Sequence, residues 1–125
     1  MKSILLVALG GGLGSVARFK LSGWVLAHGS DWRFPLGTFV VNVVGCLIAG
    51  VAAGIAERYH VFSPDARLFL FVGILGGFTT FSAFGLETVF LLRRGDVWIA
   101  ALNVFGSVAC GVLVLWAGLK LVTHS

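Results

Sequence analysis

Charge is what this chain has least of. Asp and Glu number five and Lys and Arg nine, so 11% of the 125 residues are charged, against about 25% in an average soluble domain. No carboxylate precedes Asp31. Cysteine is limited to Cys46 and Cys110, each inside an apolar run. Both read as small packed hydrophobes rather than a disulfide, and they say nothing about redox compartment. The chain has no Walker-type phosphate loop, no cluster of metal-ligating side chains and no nucleophile beside a base, so neither nucleotide-driven transport nor enzymatic catalysis has a motif to rest on. A nucleic-acid motif is lacking too, and the net charge of +4 is spread over connectors.

What is present is apolar surface. Hydrophobic residues make up 58% of the sequence, and the mean hydropathy is +1.03. A chain this short cannot enclose so much apolar surface in its own core, because small domains bury a smaller share of their surface. Lipid is the solvent that remains. One domain, residues 1–125, is the expected count. Charges divide it into four apolar segments, 3–27, 36–56, 68–92 and 97–119, the first interrupted by Arg18 and Lys20. Each can cross a hydrocarbon core of about 30 Å, which takes about 20 helical residues. The connectors "HGSDWRF", "ERYHVFSPDAR" and "RRGD" carry turn and charged residues, and Trp24, Trp32, Tyr59 and Trp98 lie near segment ends, where amphipathic aromatics meet the headgroups. Lys2, the first apolar run and "SVA" before Arg18 loosely resemble a signal peptide. The cleavage pattern is weak and hydrophobicity resumes after Lys20, so the segment reads as a complete span. The expected fold is an all-α integral membrane protein of four transmembrane helices.

Loop charge does not orient it. With four spans, Lys2, Arg58, Arg67 and Lys120 share one side, and Arg33, Arg93, Arg94 and a snorkelling Lys20 share the other. An excess of Lys and Arg normally marks the cytoplasmic side; here the sides balance. Either another determinant orients the chain, or it inserts both ways and opposite copies pair as an antiparallel dimer.

Three GxxxG pairs, Gly10 with Gly14, Gly50 with Gly54 and Gly73 with Gly77, mark faces where helix backbones approach closely. Polar residues inside the spans are Arg18, Asn42, Glu87, Asn103 and Ser107. Charged groups at such depth face a bundle interior or a wet cavity. Arg18 either snorkels or lines a pathway, and Glu87 either bonds a neighbouring helix or serves transport. Asn42 is too short to snorkel, so its amide must find a partner inside, with interhelical bonding the default.

The third segment contains "GGFTTFSAFGLE", residues 76–87. Gly76 and Gly77 each weaken a helix by roughly 1 kcal/mol relative to Ala. Thr79, Thr80 and Ser82 can divert backbone bonds to their hydroxyls. Together they predict a helix broken mid-membrane, an arrangement tolerated only where protein or a cavity surrounds it and where freed carbonyls can coordinate a cation. Phe81 and Phe84 fall on one face of a helical turn. Such phenylalanines ordinarily pack, yet a ring edge carries the positive part of the quadrupole and can accept a small anion.

With "GGGLGSVARF" in the first segment, "PLGTFVVNVVG" in the second, "GGFTTFSAFGLET" in the third and "RRGD" after it, the chain resembles the Fluc (CrcB) family of small bacterial fluoride channels along essentially its whole length. The resemblance implies a dual-topology, antiparallel homodimer with two fluoride pathways, each built from both subunits. It implies that Asn42 is the pathway amide and that Phe81 and Phe84 are the rings whose edges meet fluoride. Thr80 and Ser107 match polar positions beside that track, and Arg18 matches an arginine near its entrance. Gly76 and Thr79 match residues whose carbonyls hold a structural, untransported sodium ion at the dimer centre. Glu87 matches a carboxylate that follows the break. Ala83 and Gly85 depart from the family's usual Thr and Ser, while Gly111 and Asn103 replace a serine and a tyrosine of some relatives.

The expected function is passive export of fluoride through the bacterial inner membrane, relieving its toxicity, with no nucleotide or proton coupling. A proton-coupled exporter of organic cations is the main alternative, but such carriers use a carboxylate in the first helix, and here that helix has Arg18 instead. A structural subunit of a larger complex is the third.

Overall fold

A computed structural model describes residues 1–28 and 34–124. Trp32 and Arg33, named above for the first connector, lie outside the described residues. Helix α1 spans Lys2–His28, α2 Leu36–Tyr59 and α6 Val97–Thr123. The third span is composite. It opens with α3, Pro64–Arg67, runs through a π-helical stretch, Leu68–Leu75, then α4, Gly76–Phe78, and ends with α5, Phe81–Arg93. Four units among the described residues are long and apolar enough to cross a membrane: Lys2–His28, Leu36–Tyr59, Pro64–Arg93 and Val97–Thr123. The protein is a multi-pass membrane protein.

Its packing runs opposite to that of a soluble domain. Bulky residues such as Leu5, Leu9, Leu13, Val112 and Leu113 point outward, and the buried set is short, led by Val41 and Leu91. In lipid no hydrophobic force drives helices together, so close backbone approach does. All three glycine pairs sit at such approaches. A Cβ on Gly10 would lie 2.6 Å from the Phe69 carbonyl oxygen and 2.9 Å from the Gly73 Cα, and one on Gly14 would collide with the Ile74 carbonyl. Gly77 meets the Gly11 backbone in the same seam, so α1 lies backbone to backbone on the third span. On the other side α2 packs along α6, where Gly50 faces the Leu115 carbonyl and Gly54 faces Val122.

The ends are pinned by side chains. Ser63 caps α3 by accepting from the Ala66 N–H at 3.1 Å, and Pro64 occupies the first turn, where a missing N–H costs nothing. Lys2 pairs with Asp65 at 2.7 Å, tying the start of α1 to the start of the third span. Arg58, in the last turn of α2, donates to the Val122 carbonyl at 2.6 Å, in the last turn of α6, whose carbonyls have no helical N–H to accept from. Gly95 turns the chain between α5 and α6 with φ +85°. Cys46 and Cys110 are free.

Within the third span the glycines behave differently from expectation. Gly76 keeps helical angles, φ −62° and ψ −39°, and α4 continues to Phe78. The two residues outside helical geometry are Thr79, with φ −85° and ψ 155°, and Thr80, with φ −146° and ψ 121°. Gly77 is kept small by the Gly11 backbone pressed against it, so packing rather than helix breaking accounts for it.

Candidate functional site: a polar cluster around Thr79 and Thr80

Two extended residues in an apolar setting need partners for their backbone groups. Asn42, half-buried on α2, supplies them. Its Nδ2 donates to the Thr80 carbonyl at 3.0 Å, and its Oδ1 accepts from the Thr80 N–H at 3.0 Å. The amide thus imitates the edge of a β-strand. One of its two amide hydrogens remains free of this ring. Thr79 turns its hydroxyl back to the Leu75 carbonyl at 2.9 Å. Thr80 caps α5 by accepting from the Ala83 N–H at 3.2 Å, and its hydroxyl lies 3.4 Å from that of Ser82.

The cap places Phe81 in the first turn of α5. Its ring and that of Phe84 have centroids 5.7 Å apart and planes inclined by 41°. Phe84 is half-buried, whereas Phe81 is 82% exposed within the single chain.

In an unbroken helix the Thr80 N–H would close on the Gly76 carbonyl and that of Phe81 on the Gly77 carbonyl. The first of these donates to Asn42 instead. The Gly77 carbonyl receives the Arg18 Nε at 3.2 Å, and a guanidinium there also complements the negative end of the helix dipole. Arg18 therefore neither stands free in lipid nor reaches only for a surface, since it is half-buried and fixed to the third span. Gly76 and Thr79 line a concavity of about 290 Å³ together with Gly45 and Cys46. Among the described residues no group of three or more His, Cys, Asp and Glu could hold a metal ion, so backbone and hydroxyl oxygens are what this concavity offers a cation.

A second polar group joins α2, α5 and α6. Glu87 Oε1 accepts from the Thr38 hydroxyl at 2.5 Å, and its Oε2 is buried without a partner among the described residues. Asn103 is 1% exposed. It donates to the Thr88 hydroxyl at 2.9 Å and accepts from Ser107 at 3.3 Å, while Thr88 donates to the Phe84 carbonyl at 2.8 Å. The structure thus gathers Asn42, Thr80, Phe81 and Phe84 in one place, and links Ser107 to it through Asn103 and Thr88. Reasoning from sequence missed Thr38 and Thr88. The signal existed for one: Thr38 stands four residues before Asn42, on the same face of α2.

Four spanning helices, glycine seams and a polar cluster around two extended residues define a small multi-pass membrane protein with polar groups gathered inside an apolar bundle. Residues 5–119 match the family model for CrcB-like protein, Camphor Resistance (CrcB). The chain belongs to the CrcB family. A relative from Methylobacillus flagellatus, the fluoride-specific ion channel FluC, is 56% identical over 98% of this chain and 95% of its own. Another FluC, from Novosphingobium aromaticivorans, is 48% identical over 97% of this chain and 96% of its own. A third, FluC 2 of Nitrobacter hamburgensis, is 46% identical over 96% of both chains. By these names the family is one of ion channels, outside the enzymes.

Proposed function

We propose that this chain is a fluoride-selective, passive ion channel. The observation that carries the reading is the Asn42–Thr80 ring, which fixes an extended break and presents Phe81 and Phe84 as neighbouring rings. A small, strongly hydrated anion must exchange water for other donors, and ring edges with a free amide hydrogen supply these without a full positive charge. The names of the relatives supply the identity of the anion. Thr80 and Ser107 are the hydroxyls beside the path, and Arg18 is the cation near its entrance.

The break falls at the middle of the 30-residue span Pro64–Arg93, so it lies within the bilayer in this reading. Such a break needs cover, and in this reading the exposed Phe81 ring beside it is where the cover goes. A second copy in antiparallel orientation supplies it, and the balanced loop charges allow both insertions. Gly76 and Thr79 would hold the structural sodium ion. They fit it in one respect that the fold supplies: the Gly76 carbonyl loses its helical donor to Asn42, and both residues border the same concavity. Two carbonyls are few for a cation, and the partner copy would double them. The ion would balance the partial charge of the converging carbonyls.

Fluoride enters cells as its uncharged weak acid and ionises in the near-neutral cytoplasm. A passive path in the inner membrane then lets it leave under an inside-negative potential, worth about 2.3 kcal/mol per charge per 100 mV. Liposomes holding the purified protein should release fluoride and retain chloride without any proton gradient. Equal efflux of both anions refutes the selectivity, and flux that requires a proton gradient and vanishes in Glu87→Gln establishes the carrier instead.

A further inference from the structure

Asn103 is the one polar side chain among the described residues that is fully buried, and no step above uses it. Its bonds run in one direction. The Ser107 hydroxyl donates to Asn103 Oδ1, Asn103 Nδ2 donates to the Thr88 hydroxyl, and Thr88 donates to the Phe84 carbonyl. Each donor in such a chain is polarised by the bond it accepts, so the three bonds strengthen one another. The relay ends on the backbone of Phe84, whose ring stands beside Phe81.

We propose that Asn103 is a positioning residue for the anion path, acting through Thr88 on Phe84. The inference rests on the channel reading above. The direction of the amide is what matters. The Phe84 carbonyl can only accept, so it takes the Thr88 proton; the Thr88 oxygen is left to accept from Asn103 Nδ2, and Oδ1 then faces the Ser107 hydroxyl. A flipped amide would compete with that carbonyl for the Thr88 proton. With its lone pair engaged by Asn103, the Thr88 hydroxyl has one direction for its proton, toward Phe84. A side-chain hydroxyl bonding the carbonyl four residues back bends a helix slightly, so the relay sets the inclination of the first turn of α5, where both rings are mounted. Ser107 acquires a second role here, as the brace of the amide, since the proton it gives to Asn103 is not available to an anion at the same time.

The test is fluoride efflux from liposomes at a protein density low enough that many vesicles hold no channel. The fraction of vesicles that empty then counts functional proteins, and the rate in that fraction reports conduction by each. A residue that only supports folding changes the fraction. Asn103→Leu should instead slow the rate about tenfold, the scale of one buried hydrogen bond lost, and Thr88→Val should do the same. Combined, they should slow it no further than either alone, because both cut one relay. An unchanged rate in emptied vesicles, or two losses that multiply, overturns the proposal. Should Asn103→Leu fail to fold, Asn103→Ala, alone and combined with Thr88→Val, poses the same question with a smaller side chain at the buried position. Wild-type vesicles that release no fluoride overturn the channel reading itself, and are told apart from a silent variant by that control.

Discussion

The side chain of Asn42 holds the backbone of Thr80 from both ends of its amide, donating to the carbonyl and accepting from the N–H at 3.0 Å each. A carboxylate cannot do both. Asn42→Asp keeps the acceptor and loses the donor, setting an oxygen against the Thr80 carbonyl in a half-buried place. It should lower stability by about 1–3 kcal/mol, read as an earlier denaturation midpoint in detergent, and abolish fluoride efflux. Loss of efflux with an unchanged midpoint would separate the anion contact from the clamp and assign Asn42 to the first alone.

Phe81 gives the opposite pattern. Its ring is 82% exposed in one chain, so Phe81→Ile removes little that holds the subunit together. Efflux should fall to background while yield and elution volume stay those of the wild type. Full efflux in this variant would remove the ring edge from the mechanism.

Neighbouring glycines should divide sharply. A Cβ on Gly14 collides with the Ile74 carbonyl, whereas one on Gly12 meets nothing within 4 Å. Gly14→Ala should cost about 1–3 kcal/mol, as overpacking does, while Gly12→Ala should stay within about 0.5 kcal/mol of wild type. Thermal unfolding of the two purified variants is the comparison to make.

Sodium gives a test without mutation. Replacing it by a large organic cation should stop fluoride efflux, and returning it should restore the flux without altering its direction. Full activity after exhaustive sodium removal would take the ion away from Gly76 and Thr79.

The spans were legible because lipid exposure imposes continuous apolar runs, and the glycine pairs because close approach requires small residues at a fixed spacing. The position of the two extended residues was legible only approximately. Local propensity points at Gly76 and Gly77, yet both stay helical up to Phe78. The extended residues are Thr79 and Thr80, since Thr80 is the one that Asn42 can serve from another helix. A partner 38 residues away in sequence leaves no trace in a local pattern. The same holds for Thr88, whose importance comes from Asn103 across a helix pair. The π-helical stretch Leu68–Leu75 contains no polar side chain to announce it, and it lies where α1 presses its glycines on the third span.

That glycine seam has a mechanical consequence. Where α1 meets the third span, peptide ladder rests on peptide ladder with no intervening layer of side chains to compress or rotate. A gate that rocked one against the other would have to drive carbonyls through carbonyls. In the channel reading, a path mounted on this seam should keep one width. Ion flow through such a pore should quicken with temperature only as steeply as diffusion in water does, with none of the steep activation of a transporter that must change shape for every ion it carries.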